Sequence, residues 1–275
     1  MRVRAITPEE IKQYQEHGAV LLRGFVDPET VEELRGACLD PERPQGRYKN
    51  VLSPTGKFFE ERFLAESSDV LHEYSFNETI GESVAKAMGS PTARFLFDHL
   101  FVCGPNTPLE HYWHQDISYW PIEGKQICSI WVTLTDCTVD SSALELVLDS
   151  DKGDIHAIRP FGGEDFGEDV KKNYDKGAIP KFHEMRDKYK ILSADLKAGD
   201  AYFFNARIMH ASGGNRSKDV ERVAYSVRYI GEDVTWHPRA AFDQEALTPD
   251  DVVLKPGDKF RGRLFPQVWP AAGAA

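Results

Sequence analysis

Residues 200–230 read DAYFFNARIMHASGGNRSKDVERVAYSVRYI and carry a clear signal for the fold. Two apolar runs, 200–212 and 222–230, flank the segment GGNRSKD, whose glycine, asparagine, serine and aspartate residues favour a turn. The pattern predicts two antiparallel strands joined by a loose hairpin loop. Further strand-length runs at 94–102, 126–137 and 143–148, with no regular alternation of strands and helices, favour an antiparallel barrel or a double-sheet jelly roll.

The first 90 residues combine helix signals with one strand. Thr7-Pro8-Glu9-Glu10 supplies an N-cap, a proline at the first helical position and acids in the first turn, so a helix is predicted over 8–17. An apolar run at 19–25 predicts a strand, and Asp27-Pro28-Glu29 predicts a helix that extends to about Cys38. Helical spacing returns at 68–88. Proline, glycine and charge at 40–60 indicate a long loop.

The chain is predicted to form one catalytic domain, because mainly-β domains often reach 275 residues. Its expected parts are a helical elaboration at about 1–90, a jelly-roll core at about 91–235 and a tail at about 236–275. Residues 152–192 look like a long excursion between core strands, with a short helix near 182–190. Such insertions often form lids or substrate walls.

The acidic composition narrows the range of partners. A formal net charge of -11 and a pI near 5.3 repel nucleic acid and anionic lipid surfaces. No apolar run approaches the roughly 20 residues that cross a bilayer, and the first residues lack the apolar stretch of a secretory signal. The four cysteines form no C-x-x-C pair and are expected to be reduced thiols. We expect a cytoplasmic protein that acts on a small molecule, with neither nucleic-acid nor membrane partners; the pattern leaves the oligomeric state open.

A histidine and an aspartate lie two positions apart in Trp113-His114-Gln115-Asp116. Side chains two apart on a strand project from the same face, so both can bind one metal ion. By itself the H-x-D pattern is weak, since roughly one chance occurrence is expected in a chain of this length. His111 has the opposite parity on a regular strand and is expected to be a satisfied or solvent-facing histidine.

His210, in the run 200–212, supplies a second imidazole. Two imidazoles and one carboxylate form the facial triad that suits Fe(II) and leaves positions open for O2 chemistry. Across the predicted hairpin Ser212 faces Arg222, where a guanidinium and a hydroxyl can hold the far carboxylate of 2-oxoglutarate while its other end chelates iron. The alternative for Arg222 is a solvated arginine at a hairpin end. Arg228 shares the parity of Arg222 and could meet an anionic substrate or a structural carboxylate.

Four motifs in this order, together with the amino-terminal helix, strand and helix, resemble the phytanoyl-CoA dioxygenase family of Fe(II)- and 2-oxoglutarate-dependent oxygenases. They are WHQD at 113–116, SIWVTL at 129–134, HASGGN at 210–215 and RVAYS at 222–226. The resemblance spans most of the chain and implies a double-stranded β-helix, a cupin-like jelly roll with helices packed outside. By position it implies that iron binds to His114, Asp116 and His210, and 2-oxoglutarate to Arg222 and Ser212.

The resemblance says less about the substrate. It implies that Trp131 lines the cosubstrate pocket, although a core tryptophan fits equally well. Tyr119 and Trp120 near the entrance suggest an organic substrate or a packing role. Many members of the family carry a lysine where Cys103 stands and a Pro-Gly-Ser-His turn at 148–151, so substrate contacts do not transfer and phytanoyl-CoA is not the predicted substrate.

The implied reaction is the O2-dependent conversion of 2-oxoglutarate to succinate and carbon dioxide, coupled to substrate oxidation. Hydroxylation of a small metabolite is the commonest outcome; desaturation, epoxidation and ring formation differ in substrate placement. Asp116 fills the position that related halogenases leave to chloride, so halogenation is not expected. Two alternatives remain: a non-catalytic cupin-like protein that binds a metal or small acid, and a zinc hydrolase, although no glutamate general base is evident beside the ligands.

Overall fold

Polar caps begin the first two helices where the sequence predicts them. The structure is a computed structural model that describes residues 1–55, 57–156, 179–238 and 253–270. Helix α1, Pro8–His17, begins at Thr7, whose side chain forms a capping box with that of Glu10. Helix α2, Pro28–Leu39, begins where the Asp27 side chain accepts two backbone N–H groups. Both predicted helices are therefore confirmed, with α2 ending one residue later than expected.

The helical spacing at 68–88 belongs to two helices rather than one. Helix α3, Asp69–Ser75, ends just before α4, Glu78–Met88, begins. The Asn77 side chain accepts the backbone N–H groups of the first turn of α4, and a residue that caps a new helix interrupts the preceding one. No helix within the described ranges is long and apolar enough to span a membrane.

The strands of the described residues pair antiparallel throughout. In chain order they are β1 Ala19–Leu22, β2 Tyr48–Val51, β3 Phe58–Arg62, β4 Ala93–Cys103, β5 His111–His114, β6 Ile122–Glu123, β7 Ile127–Thr133, β8 Leu144–Val147, β9 Ile191–Leu192, β10 Ala201–Asn205, β11 His210–Ser212, β12 Arg222–Ile230, β13 Thr235–Trp236 and β14 Gln267–Trp269. The larger sheet has the spatial order β1-β10-β7-β12-β4-β3-β2, with β14 beside β4, and the smaller sheet has the order β5-β11-β8-β9. A separate pair joins β13 and β6.

Side chains from both sheets line one common cavity, as expected of a jelly roll whose sheets face each other. The predicted fold, mainly β with helices packed outside, is therefore confirmed. Strands β1, β2 and β3, which precede residue 90, join the larger sheet, so the amino-terminal part does more than add helices. The division of the chain into an elaboration, a core and a tail stays a prediction.

Alternation along β12 separates the core from the cavity. Val223 and Tyr225 pack with the helices in the principal hydrophobic core, and the Tyr225 hydroxyl lies 3.0 Å from the Ser75 hydroxyl of α3. Arg222 and Arg228, at even positions, point to the opposite face and line the cavity. A strand buried on both faces thus presents two arginines to the interior of the jelly roll.

An extra residue in β4 changes which side chains reach the cavity. Arg228 of β12 pairs with Phe97, whereas the next residue, Tyr229, pairs with Phe95, so Leu96 is the extra residue of a β-bulge. Phe95 packs with the helices, and Phe97 beyond the bulge lines the cavity. Beyond the bulge, Phe97, His99 and Phe101 of β4 line the cavity from the larger sheet.

Three expectations about the helices and strands need correction. The predicted loop at 40–60 contains β2 and the beginning of β3. The run 200–212 is not one strand but β10 and β11, which belong to different sheets. Of the helix expected near 182–190, the structure has only a single 3-10 turn, Phe182–Glu184. The greater part of the predicted excursion, residues 157–178, lies outside the described residues.

Candidate metal centre and active-site cavity

Three side chains that commonly bind metals meet between the two sheets. His114 ends β5, Asp116 begins the 3-10 turn Asp116–Ser118, and His210 begins β11 directly opposite His114. Their ligand atoms lie within 4.8 Å of one another, and the Nε2 atom of each histidine is 3.7 Å from Asp116 Oδ1. The three groups predicted from the sequence are therefore close enough to share one metal ion.

Hydrogen bonds fix the tautomer of both imidazoles. The Nδ1 atom of His114 lies 2.8 Å from the Tyr112 carbonyl oxygen, and Nδ1 of His210 lies 2.9 Å from the Ile208 carbonyl oxygen. Because a carbonyl oxygen only accepts, each Nδ1 atom carries the proton and each Nε2 atom keeps a lone pair. Burial lowers the pKa of His210 to about 4, which keeps its ring neutral at pH 7. Both rings are thus prepared to bind a cation through Nε2.

Asp116 carries a buried negative charge that the protein only partly satisfies. Burial acts to raise the pKa of its carboxyl group, but its polar neighbours His210 and His114 and the positive charge of Arg228 outweigh this effect and hold the pKa well below its ordinary value. Its Oδ2 atom is buried and has no hydrogen-bond partner among the described residues. Such an oxygen is costly unless a cation or donor reaches it. Two imidazoles and one carboxylate fit a divalent metal such as Fe(II) and leave three coordination positions free.

A cavity of about 390 Å³ opens beside the three ligands. This volume suits a small organic molecule. The ring of Trp120 packs edge-on against Phe97 in its wall, and the ring of Tyr119 packs edge-on against His114. All the site residues predicted from the sequence line this cavity: His114, Asp116, His210, Arg222, Ser212, Trp131, Arg228, Tyr119 and Trp120.

Arg222 enters the cavity from the sheet opposite His210. Strand β11 pairs with β5 and β8 and strand β12 pairs with β4 and β7, so the predicted hairpin between them is wrong. Ser212 and Arg222 line the same cavity because the two sheets face each other. Arg222 is 2% exposed and donates to the Phe101 carbonyl oxygen at 3.1 Å and the Ser142 hydroxyl at 3.3 Å. A solvated arginine at a hairpin end is thereby excluded.

His111 lies inside the cavity, contrary to the expectation from strand parity. His114 pairs with His210 and His111 pairs with Ser212, so three steps along β5 match two steps along β11. This irregularity turns His111 to the same side as His114, and the two ring centroids are 6.2 Å apart. Burial lowers the pKa of His111 to about 3, so its ring is neutral at pH 7.

The cavity wall contains three further polar residues that the sequence patterns did not predict: Glu60, Arg62 and His99. His99 Nε2 donates to one Glu60 carboxylate oxygen at 3.0 Å, and Arg62 donates to the other at 3.3 Å. Burial acts to raise the pKa of Glu60, but the positive charge of Arg62 and the His99 contact hold it low. Glu60 was not predicted because it lies in β3, at a position where the sequence predicts a loop. The shared parity of His99 with Phe97 and Phe101 is the signal that could have found it.

The sequence model of the family described as phytanoyl-CoA dioxygenase matches residues 14–224, which is most of the chain. This chain belongs to the phytanoyl-CoA dioxygenase family. The family predicted from the four motifs is thereby confirmed, and the three candidate metal ligands, His114, Asp116 and His210, all lie within the matched segment.

Relatives of this phytanoyl-CoA dioxygenase family member are distant. A probable phytanoyl-CoA dioxygenase of Caenorhabditis elegans is 23% identical over 253 residues, which cover 83% of this chain and 77% of the relative. An ectoine dioxygenase of Stutzerimonas stutzeri (strain A1501) is 22% identical over 270 residues, which cover 90% of this chain and 87% of the relative. The non-haem alpha-ketoglutarate-dependent epimerase SnoN from nogalamycin biosynthesis has the same fold, with a TM-score of 0.73 at 19% identity over 94% of this chain and 97% of that one.

Two departures from the pattern of the phytanoyl-CoA dioxygenase family have clear positions. Cys103 is fully buried and pairs with Arg222 across the larger sheet. Asp149 lies on the outside, where its carboxylate is 3.2 Å from His17 Nδ1 of α1. Neither residue belongs to the cluster of His114, Asp116 and His210, so neither departure alters the metal-binding set.

Proposed function

We propose that this protein is a non-haem Fe(II)- and 2-oxoglutarate-dependent dioxygenase that hydroxylates an unactivated carbon of a small organic metabolite. One observation carries the proposal: the ligand atoms of His114, Asp116 and His210 lie within 4.8 Å of one another at a cavity that also contains the buried Arg222. A metal site beside a buried cation suits a cosubstrate that both chelates a metal and carries a second carboxylate. Membership of the phytanoyl-CoA dioxygenase family supports the same reaction class.

The three ligands would hold Fe(II) with complementary roles. The Tyr112 and Ile208 carbonyl oxygens orient the two imidazoles by accepting their Nδ1 protons, so no proton has to leave Nε2 before a metal binds. Asp116 supplies the negative charge, and its unpartnered Oδ2 leaves the carboxylate free to rotate toward the cation. All three residues are buried, which strengthens their electrostatic attraction for a cation.

Arg222 and Ser212 would bind the far carboxylate of 2-oxoglutarate. Within the described part of the chain the guanidinium forms hydrogen bonds only to neutral groups, the Phe101 carbonyl and the Ser142 hydroxyl, so its charge is available to an anion. Trp131 is 3% exposed and lies on β7, the strand next to β12. The central carbon of the Arg222 guanidinium is 6.0 Å from the centroid of the Trp131 ring. The indole would then hold the cosubstrate carbon chain out of water, while it also packs against Tyr202 in the core.

Ferrous iron and 2-oxoglutarate, held by these residues, would supply the oxidising power: one atom of O2 would go to succinate, formed with carbon dioxide from the keto acid, and the other to the new hydroxyl group of the substrate. The chain itself selects which C–H bond lies beside the metal, through the aromatic wall that includes Phe97 and Trp120. Asp116 occupies the carboxylate position of the triad, so hydroxylation rather than halogenation is proposed. Proteins of the same fold include an epimerase and a carbocyclase, and product analysis would reveal either outcome.

The test is oxygen-dependent formation of succinate from 2-oxoglutarate by the purified chain supplied with Fe(II). The His210→Ala and Asp116→Ala variants are expected to lose at least roughly 100-fold in rate, because the metal loses a ligand. His183→Ala is the matched control, since the His183 side chain is 63% exposed and lies outside the cavity lining. A non-catalytic cupin-like protein or a zinc hydrolase would form no succinate, and that result would refute the proposal.

A further inference from the structure

A second buried guanidinium, that of Arg228, lines the cavity far from Arg222. Both residues lie on the same face of β12, six positions apart, so at about 3.4 Å per residue their Cα atoms are roughly 20 Å apart. Arg228 is 5% exposed. The two guanidiniums have different neighbours, Ser142 for Arg222 and the ring of Trp120 for Arg228, so a carboxylate held by Arg222 leaves Arg228 to another ligand.

Among the described residues Arg228 contacts aromatic rings and forms no ion pair, and the carboxylates of Asp116, Asp98 and Glu60 attract its charge only over longer distances. Its guanidinium carbon lies 4.8 Å from the ring centroid of Phe97 and 5.8 Å from those of Phe101 and Trp120. It donates one hydrogen bond, from Nη1 to the Ser226 carbonyl oxygen at 3.3 Å, and its buried Nε atom has no partner in the described part of the chain. A guanidinium has five N–H donors. Most of this donor capacity therefore remains available inside the cavity.

The formal charges of the cavity wall leave one positive charge uncompensated. Among the described residues the wall contains three arginines, Arg62, Arg222 and Arg228, and two carboxylates, Glu60 and Asp116. Arg62 already forms an ion pair with Glu60. The double charges of ferrous iron and of 2-oxoglutarate cancel each other. A substrate with a single negative charge would therefore neutralise the loaded cavity, whereas a doubly charged phosphate would overcompensate it.

Asp98, a buried acid in the strand beside Arg228, is satisfied elsewhere. Its two carboxylate oxygens accept the backbone N–H groups of Leu64 at 2.7 Å and Ala65 at 3.0 Å. It lies on the face of β4 opposite that of Phe97 and is absent from the cavity lining. Asp98 therefore does not supply the anion that Arg228 lacks.

Building on the proposed function, we propose that the substrate is a carboxylic acid with an aromatic or otherwise apolar body, and that Arg228 binds its carboxylate. The planar fork of the guanidinium matches a carboxylate in two parallel hydrogen bonds. The apolar body fits the rings that surround Arg228 and line the rest of the cavity, including Trp236 and Phe260. Arg228 is then the residue that selects acids over neutral analogues and fixes which carbon faces the metal.

Isothermal titration of the full chain tests this assignment with matched probes: phenylacetate against phenylacetamide, and hexanoate against hexanamide. The protein is held without oxygen, with Fe(II) and saturating 2-oxoglutarate to block Arg222. At least one acid is expected to bind ten times more tightly than its amide, which equals about 1.4 kcal/mol. Arg228→Met is expected to bring acid and amide within threefold of each other, and Arg228→Lys to keep part of the preference. Thermal unfolding checks that both variants fold.

Arg62→Met is the matched control, because Arg62 is a cavity arginine that Glu60 already neutralises. Equal affinities of acid and amide in the parent, a preference that survives in Arg228→Met, or an equal loss in Arg62→Met would each overturn the inference. Repeating the titration in an Arg222→Met background, without iron or 2-oxoglutarate, separates the two proposals. If Arg222→Met prefers acids but the parent consumes no 2-oxoglutarate, the proposed function alone is refuted. If the parent consumes 2-oxoglutarate but no acid preference is found, this inference alone is refuted.

Discussion

Replacing Arg222 by methionine removes a buried positive charge that the described part of the protein does not neutralise. The side chain is 2% exposed, and its hydrogen bonds go to the Phe101 carbonyl and the Ser142 hydroxyl, both neutral. Burial accordingly lowers the pKa of the guanidinium. An unneutralised buried charge costs stability, and methionine is of similar length without the charge. We therefore expect ligand-free Arg222→Met to be at least as stable as the parent.

The same substitution should remove the stabilisation that 2-oxoglutarate provides. Two charge-assisted hydrogen bonds to the cosubstrate carboxylate contribute about 3 kcal/mol together. Their loss raises the dissociation constant roughly 100-fold. At a ligand concentration 100 times the parent's dissociation constant, binding raises the free energy of unfolding by about 2.7 kcal/mol in the parent and by about 0.4 kcal/mol in Arg222→Met.

Urea unfolding, with Fe(II) under anaerobic conditions and with or without 2-oxoglutarate, measures both quantities. Arg62→Met is the control with the opposite expectation. It removes the ion-pair partner of the buried Glu60, so the ligand-free variant should be less stable than the parent. It should nevertheless keep the full increase in unfolding free energy that 2-oxoglutarate provides. If Arg222→Met keeps a gain near 2.7 kcal/mol, Arg222 does not bind the cosubstrate. If it unfolds easily without ligand, the reasoning about its unneutralised charge is wrong.

Three other outcomes can be measured independently. Burial lowers the pKa of the folded His111 ring to about 3, so below about pH 6.5 the unfolded chain binds a proton that the folded ring does not. The free energy of unfolding should therefore decrease as the pH is lowered, by up to about 1.4 kcal/mol per pH unit. Urea titrations at pH 7 and pH 5 should show a smaller fall in His111→Gln, and identical slopes would contradict this. Asn215→Ala should cost about 2–4 kcal/mol in chemical unfolding, since the fully buried amide donates to the Cys103 and Val220 carbonyl oxygens; a cost below 1 kcal/mol would count against it. Because Asp116 fills the carboxylate position, mass spectrometry of products formed in chloride should show no chlorinated species, and finding one would disprove that assignment.

Local chemistry accounts for the features that the sequence predicts well. Thr7 and Asp27 begin helices because a side chain next to the first turn satisfies backbone N–H groups at once. The run 222–230 matches β12 at both ends, because polar turn residues precede an unbroken β-favouring stretch. Two of the three candidate metal ligands, His114 and Asp116, could be chosen because a histidine and an aspartate two positions apart share a face in an extended segment.

Pairing between distant segments decided the rest. Whether 200–212 forms one strand or two depends on contacts with β7 on one side and β8 on the other, and no local pattern reports them. His111 faces the cavity because β5 and β11 slip by one residue against each other, which the parity of a single strand cannot show.

The sequence by itself determined which side chains are able to bind a metal ion or a carboxylate, since that depends on residue type. Only the tertiary structure decided that Ser212 and Arg222 approach the cavity from opposite sheets, and that Arg228, Glu60 and His99 share it. The physical reason is that alternation assigns a side chain to a face, whereas hydrogen bonding between strands far apart in the chain determines what that face meets.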